Sequence, residues 1–118
     1  MHRQHNFKNL KIWQTGMDIV QLTYAFTDTL PDVERYGLQS QINRSAVSIP
    51  SNIAEGSGRS TGKNFAQFIN IAAGSAYELE TQLLICQRLG KGKVDLLHPL
   101  LELLNEEQRM LRSFKLQL

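Results

Sequence analysis

At 118 residues the chain is long enough for one modest hydrophobic core and too short for two. An apolar share of 42% with 20% charged residues is that of an ordinary globular domain, and no apolar run reaches the length of a membrane span. Thirteen basic against eleven acidic side chains leave a formal charge of only +2, which permits an acidic partner such as RNA without demanding one.

The polar start MHRQHNFKN reads as neither a signal peptide nor an anchor, and residues 1–8 are expected to be flexible. The lone Cys86 cannot form an internal disulfide, so a reducing, cytoplasmic setting is expected. Four segments then carry helical periodicity, and none reads as a strand. In the first, Trp13, Met17, Val20 and Tyr24 form one stripe and Ile12, Gly16, Ile19, Thr23, Phe26 and Leu30 a second beside it. Together they make a broad apolar face, closed by Leu30-Pro31 because the residue before a proline avoids helical angles.

The second segment, YGLQSQINRSAVSIPSNIAEGSGR (36–59), gathers Leu38, Ile42, Ala46, Ile49 and Ile53 on one side of a helix. Arg44, Ser48, Ser51 and Glu55 fall on the other, with Gln41 and Arg59 near its edge. Pro50 deletes one backbone hydrogen bond, which predicts a helix kinked there; a break with a fresh start would make Ile49 the cap, a poor choice. Beyond it, GSGRSTGKN (56–64) suggests a phosphate-binding loop by composition alone. Gly58 and Gly62 are one residue too close for that motif, and Asn64 stands where a magnesium-binding hydroxyl is required. A helix precedes the stretch rather than a strand. The glycines read as punctuation, Gly58 ending one helix in the left-handed region and Thr61 capping the next.

The third segment places Phe65, Phe68, Ile69, Ala72, Ala76, Leu79, Leu83 and Cys86 on one face and ends at Gly90 and Gly92. The fourth carries Leu97, Leu100, Leu104, Leu111 and Phe114, with Arg109, Arg112 and Lys115 in its last turns, where the helix dipole favours cations. Short connections favour antiparallel neighbours, so the expected fold is all-α: an antiparallel up-down-up-down four-helix bundle in a single domain, 1–118.

Catalytic and metal chemistry find little support. Asp95, His98 and Glu102 share a helix face, but a di-iron bundle needs a second carboxylate-x-x-His motif, and none is present. His2 and His5 fall in the polar terminus, and Cys86 on an apolar stripe. No nucleophile has a recognisable base at motif spacing, so neither an enzyme nor a cofactor, a metal or a small-molecule substrate is expected. The basic residues Arg35, Arg44, Arg59 and Lys63, against only Glu34 and Glu55 in the same stretch, are candidates for phosphate contacts. They also suit a merely solvated face. Trp13, Phe65, Phe68 and Tyr77 offer planes on which bases could stack, although their spacing puts the core first.

LKIWQTGMDIV (10–20), RYGLQSQINRSAVSIPSNIAEGSGR (35–59) and FAQFINIAAGSAYELETQLLICQRLG (65–90) together resemble the bacterial four-helix bundle family whose founding members are encoded by intervening sequences within 23S ribosomal RNA genes. The resemblance implies an antiparallel bundle that assembles into ring-like homopentamers, and it suggests RNA as a partner. A similar fold occurs in the accessory protein of diversity-generating retroelements, which binds nucleic acid and a reverse transcriptase. By position, Arg35, Arg44 and Arg59 match basic sites in and around the family's central motif. Asn43 stands where relatives often have a second arginine, and Asn64 replaces a glutamate that completes a capping box. In a ring, Arg44, Ser48, Ser51, Asn52 and Glu55 would be candidates for the subunit interface, the arginine and glutamate pairing across it.

Overall fold

The computed structural model describes residues 6–118 and forms from them four α-helices: α1 (Lys11–Thr27), α2 (Leu38–Ser57), α3 (Gly62–Leu89) and α4 (Val94–Leu116). Residues 1–5, with His2 and His5, lie outside the described residues; of the rest of the stretch expected to be flexible, Phe7–Asn9 forms a 3-10 turn. The Asn6 side chain caps that turn by accepting the Lys8 amide at 3.2 Å. A second 3-10 turn, Asp32–Glu34, lies between α1 and α2. The helices close a ring, α1 against α2, α2 against α3, α3 against α4 and α4 against α1. The bundle is antiparallel and measures 50 × 24 × 19 Å.

The apolar periodicity explains the interior. Ile19, Phe26, Ile42, Ile49, Ile53, Phe65, Leu79, Leu83, Leu100, Leu104 and Leu111 are wholly buried. Each such side chain contributes roughly 1.5–3 kcal/mol on leaving water. In α1 only the second stripe goes inside; Met17 and Tyr24 of the first remain exposed, because two flanking helices cannot cover so wide a face. The interior also takes in Glu107 and Gln108 of α4, which apolar spacing alone does not mark.

The helix ends follow local chemistry. Thr61 Oγ1 accepts the Asn64 amide at 3.1 Å and starts α3. Gly90, at φ 65°, ends α3 in the left-handed region, and the Lys91 amide returns to the Cys86 carbonyl at 2.9 Å. Gly58 departs from expectation: its φ is −87°, so α2 ends in a right-handed turn with the Gly58 amide donating to the Glu55 carbonyl at 3.2 Å. The helix runs without a break through Pro50, which is buried. Pro99, unremarked in the sequence, lies within α4 as well.

Gly56 sets how closely α2 and α3 approach. A Cβ there would stand 2.6 Å from the Phe68 Cβ and 2.9 Å from the Phe65 ring. The Phe68 Cβ is fixed to backbone and cannot swing aside. Gly56→Ala is therefore expected to cost about 1–3 kcal/mol, read as a lower urea midpoint; an unchanged midpoint would contradict this packing.

Candidate nucleic-acid interface

The antiparallel order brings four helix ends to each pole of the bundle, and the two poles differ in charge. One pole gathers the start of α1, the end of α2, the start of α3 and the end of α4. It carries Lys8 from the first 3-10 turn and Lys11 from α1, Arg59 from the α2–α3 turn, Lys63 from the start of α3, and Arg109, Arg112 and Lys115 from α4, all exposed. The acids on the same helix ends are Glu55, Glu106 and the buried Glu107. In the remainder of the described bundle Asp18, Asp28, Asp32, Glu34, Glu78, Glu80, Asp95 and Glu102 outnumber Arg35, Arg44, Arg88, Lys91 and Lys93. A small net charge thus conceals a polarised molecule.

The sequence-predicted cations are divided by this layout. Arg59 and Lys63 lie at the basic pole; Arg35 lies in the connection before α2 and Arg44 in the first turns of α2, with Arg44 about 22 Å from Arg59 at 1.5 Å per residue. Arg59 donates to Glu55 Oε2 at 2.8 Å and lays its guanidinium over the Phe68 ring, 4.5 Å from the centroid. Both partners of that pair are exposed, so it contributes little to stability and leaves the guanidinium accessible. Glu106 shares a groove of about 310 Å³ with Lys11 and Arg109. Arg112 reaches Tyr77 Oη at 3.4 Å.

The residues expected at a subunit interface also separate. Ser48 and Asn52 turn toward α3: Ser48 Oγ lies 2.7 Å from Ser75 Oγ, and Asn52 Nδ2 donates to Ser48 Oγ at 2.9 Å. Arg44, Ser51 and Glu55 stay exposed. Beside them a groove of about 420 Å³ between α2 and α3 is lined by Gln41, Arg44, Ser45, Ser48, Glu78 and Gln82. Ser45 donates to Glu78 Oε1 at 3.1 Å, while the buried Gln82 Oε1 has no hydrogen-bond partner among the described residues.

Of the aromatic planes, Phe65 is buried edge-on to Phe114 at 5.4 Å, and Trp13 is half-buried against Phe7 at 5.3 Å. Phe68 is half-buried beneath Arg59, and Tyr77 is exposed. Tyr24 and Tyr36 are exposed too, and the sequence reading did not mark them as stacking planes. Burial raises the Cys86 thiol above its usual range, which leaves it inert. Asp95, His98 and Glu102 are exposed, and among the described residues no His, Cys, Asp and Glu side chains group as a metal site. No described helix is long and apolar enough to cross a membrane.

A family model described as 23S rRNA-intervening sequence protein matches residues 8–113. A crystal structure of a protein with unknown function from the S23 ribosomal protein family of Bacteroides thetaiotaomicron VPI-5482 has the same fold. Its TM-score is 0.78 at 21% sequence identity, over 88% of this chain and 97% of that one. No curated protein matches the chain.

Proposed function

The chain belongs to the 23S rRNA-intervening sequence protein family, and on that premise we propose a non-catalytic, homo-oligomeric bundle that binds structured RNA through its basic pole. The charge asymmetry between the two poles carries the reading. A phosphate backbone neutralises clustered cations and releases its own counterions, so affinity follows local charge rather than the net value of the chain. Arg59 on Phe68 and Lys63 at the start of α3 stand at the centre of the α2–α3 part of this surface.

Assembly, with a homopentamer as the expected state, is supported by the outer face of α3. Ile71, Ile85 and Leu89 fall on one exposed stripe of it, next to the polar α2–α3 groove. Such a stripe suits contact with a second copy. It equally favours the alternative of a protein-interaction scaffold that binds no nucleic acid, including an accessory to a reverse transcriptase.

Changing Arg59 and Lys63 together to Ala separates the two. Labelled hairpin RNA is expected to bind about tenfold more weakly to the double variant at low salt, with its mass by light scattering unchanged. Unaltered affinity with lost assembly would favour the scaffold.

A further inference from the structure

A groove of about 460 Å³ runs between α1 and α2 in the less basic part of the bundle. Its walls include Tyr24, Arg35, Tyr36, Asn43, Arg44 and Val47. Tyr36 is 90% exposed and Tyr24 44%, so both rings stand open to solvent. No acid among the described residues lines the groove. The nearest in sequence, Glu34, is occupied by Lys91, whose ammonium holds that carboxyl below the usual range. Arg35 and Arg44 make no ion pair among the described residues. Asn43 Oδ1 accepts from Thr27 Oγ1 at 2.8 Å, which fixes the amide with its oxygen engaged and its N–H donors left for a ligand.

Exposed tyrosine faces suit the π-face of a base, two guanidinium groups suit a phosphate, and an amide donor suits a base edge. We propose that this groove holds an unpaired nucleotide of a bound RNA, its base stacked on Tyr24 or Tyr36 and its phosphate against Arg35 and Arg44. The proposal rests on the RNA-binding reading and adds a second, single-stranded subsite about 22 Å along α2 from Arg59. One RNA would lay a duplex on the basic pole and an unpaired extension in the groove. Because the surroundings are acidic on balance, stacking supplies most of the affinity here, and salt weakens it less than it weakens duplex binding.

The test uses the whole protein with two probes, a single-stranded hexaadenylate and a labelled RNA hairpin. Hexaadenylate is expected to bind wild type and to lose about tenfold or more in affinity in the Tyr24→Leu/Tyr36→Leu variant. Tyr24→Phe/Tyr36→Phe should retain it, since the ring faces remain; all four substitutions are exposed, and matching thermal melts confirm folding. Arg59→Gln/Lys63→Gln should weaken the hairpin and spare hexaadenylate. Absence of hexaadenylate binding, or a loss that follows the pole variant instead of the leucine variant, overturns the groove. With the hairpin still bound, only the groove falls; if the hairpin fails as well, the RNA reading falls with it.

Discussion

Replacing Glu107 by Met is expected to stabilise the protein by about 3 kcal/mol or more at pH 8 and to flatten its dependence on pH. Glu107 is wholly buried, and neither carboxyl oxygen has a hydrogen-bond partner among the described residues. A Cβ on Gly16 would meet Glu107 Oε2 at 3.1 Å and the Pro50 Cβ at 3.4 Å, so the acid sits where α1, α2 and α4 converge. Burial raises its pKa from 4.5 to about 8; Glu106 adds to the rise and Lys11 opposes it. The folded chain therefore keeps a proton that the unfolded chain releases above about pH 4.5. The contribution of Glu107 to stability is greatest below that pH, falls by about 1.4 kcal/mol per unit as pH rises toward 8, and levels beyond it. Urea unfolding at pH 5 and pH 8 measures both effects. A wild type as stable at pH 8 as at pH 5 would show that Glu107 ionises freely.

Removing the basic pole as a unit is expected to have the largest effect on binding. With Lys8, Lys11, Arg59, Lys63, Arg109, Arg112 and Lys115 all changed to Gln, affinity for hairpin RNA should fall at least about a hundredfold at low salt. All seven are exposed, so the fold should survive, which a thermal melt confirms. Arg88→Gln/Lys93→Gln, at the opposite pole, should leave affinity within about threefold. A loss in Arg88→Gln/Lys93→Gln equal to that in Arg59→Gln/Lys63→Gln, which removes the same number of charges, would mean that net charge alone matters, and the polar layout would lose its meaning.

Much of this bundle is legible in its sequence, because apolar residues recurring at helical spacing decide which faces go inside. The stripes of α2 and α3 and the caps at Thr61 and Gly90 follow directly from residue chemistry. Glu107 occupies the same stripe as Leu100, Leu104 and Leu111, yet a search for apolar residues passes over an acid in a core position. Tyr24 fails in the opposite sense: it shares a stripe with half-buried residues but lies at the rim. Gly58 can adopt left-handed angles, and nothing local decides whether it does.

The basic pole was hidden for a different reason. Its cations come from four helix ends far apart along the chain, and charge summed by segment leaves Arg59 and Lys63 apart from Arg109, Arg112 and Lys115. Folding the sequence at its three turns before adding charges would have joined Lys11 and Arg109 to Arg59 and Lys63. The opposing half, where Arg35 and Arg44 lie, is obscured in the same way.

The most direct measurement is a salt titration of wild-type protein against a labelled 23S-type RNA hairpin, from about 50 to 200 mM. Each phosphate held by a cation steepens the fall of log affinity against log salt by about 0.9. A basic pole that docks on the backbone predicts a slope of about −4 or steeper. No binding at the lower salt, or a slope shallower than about −1, would contradict an RNA-binding pole.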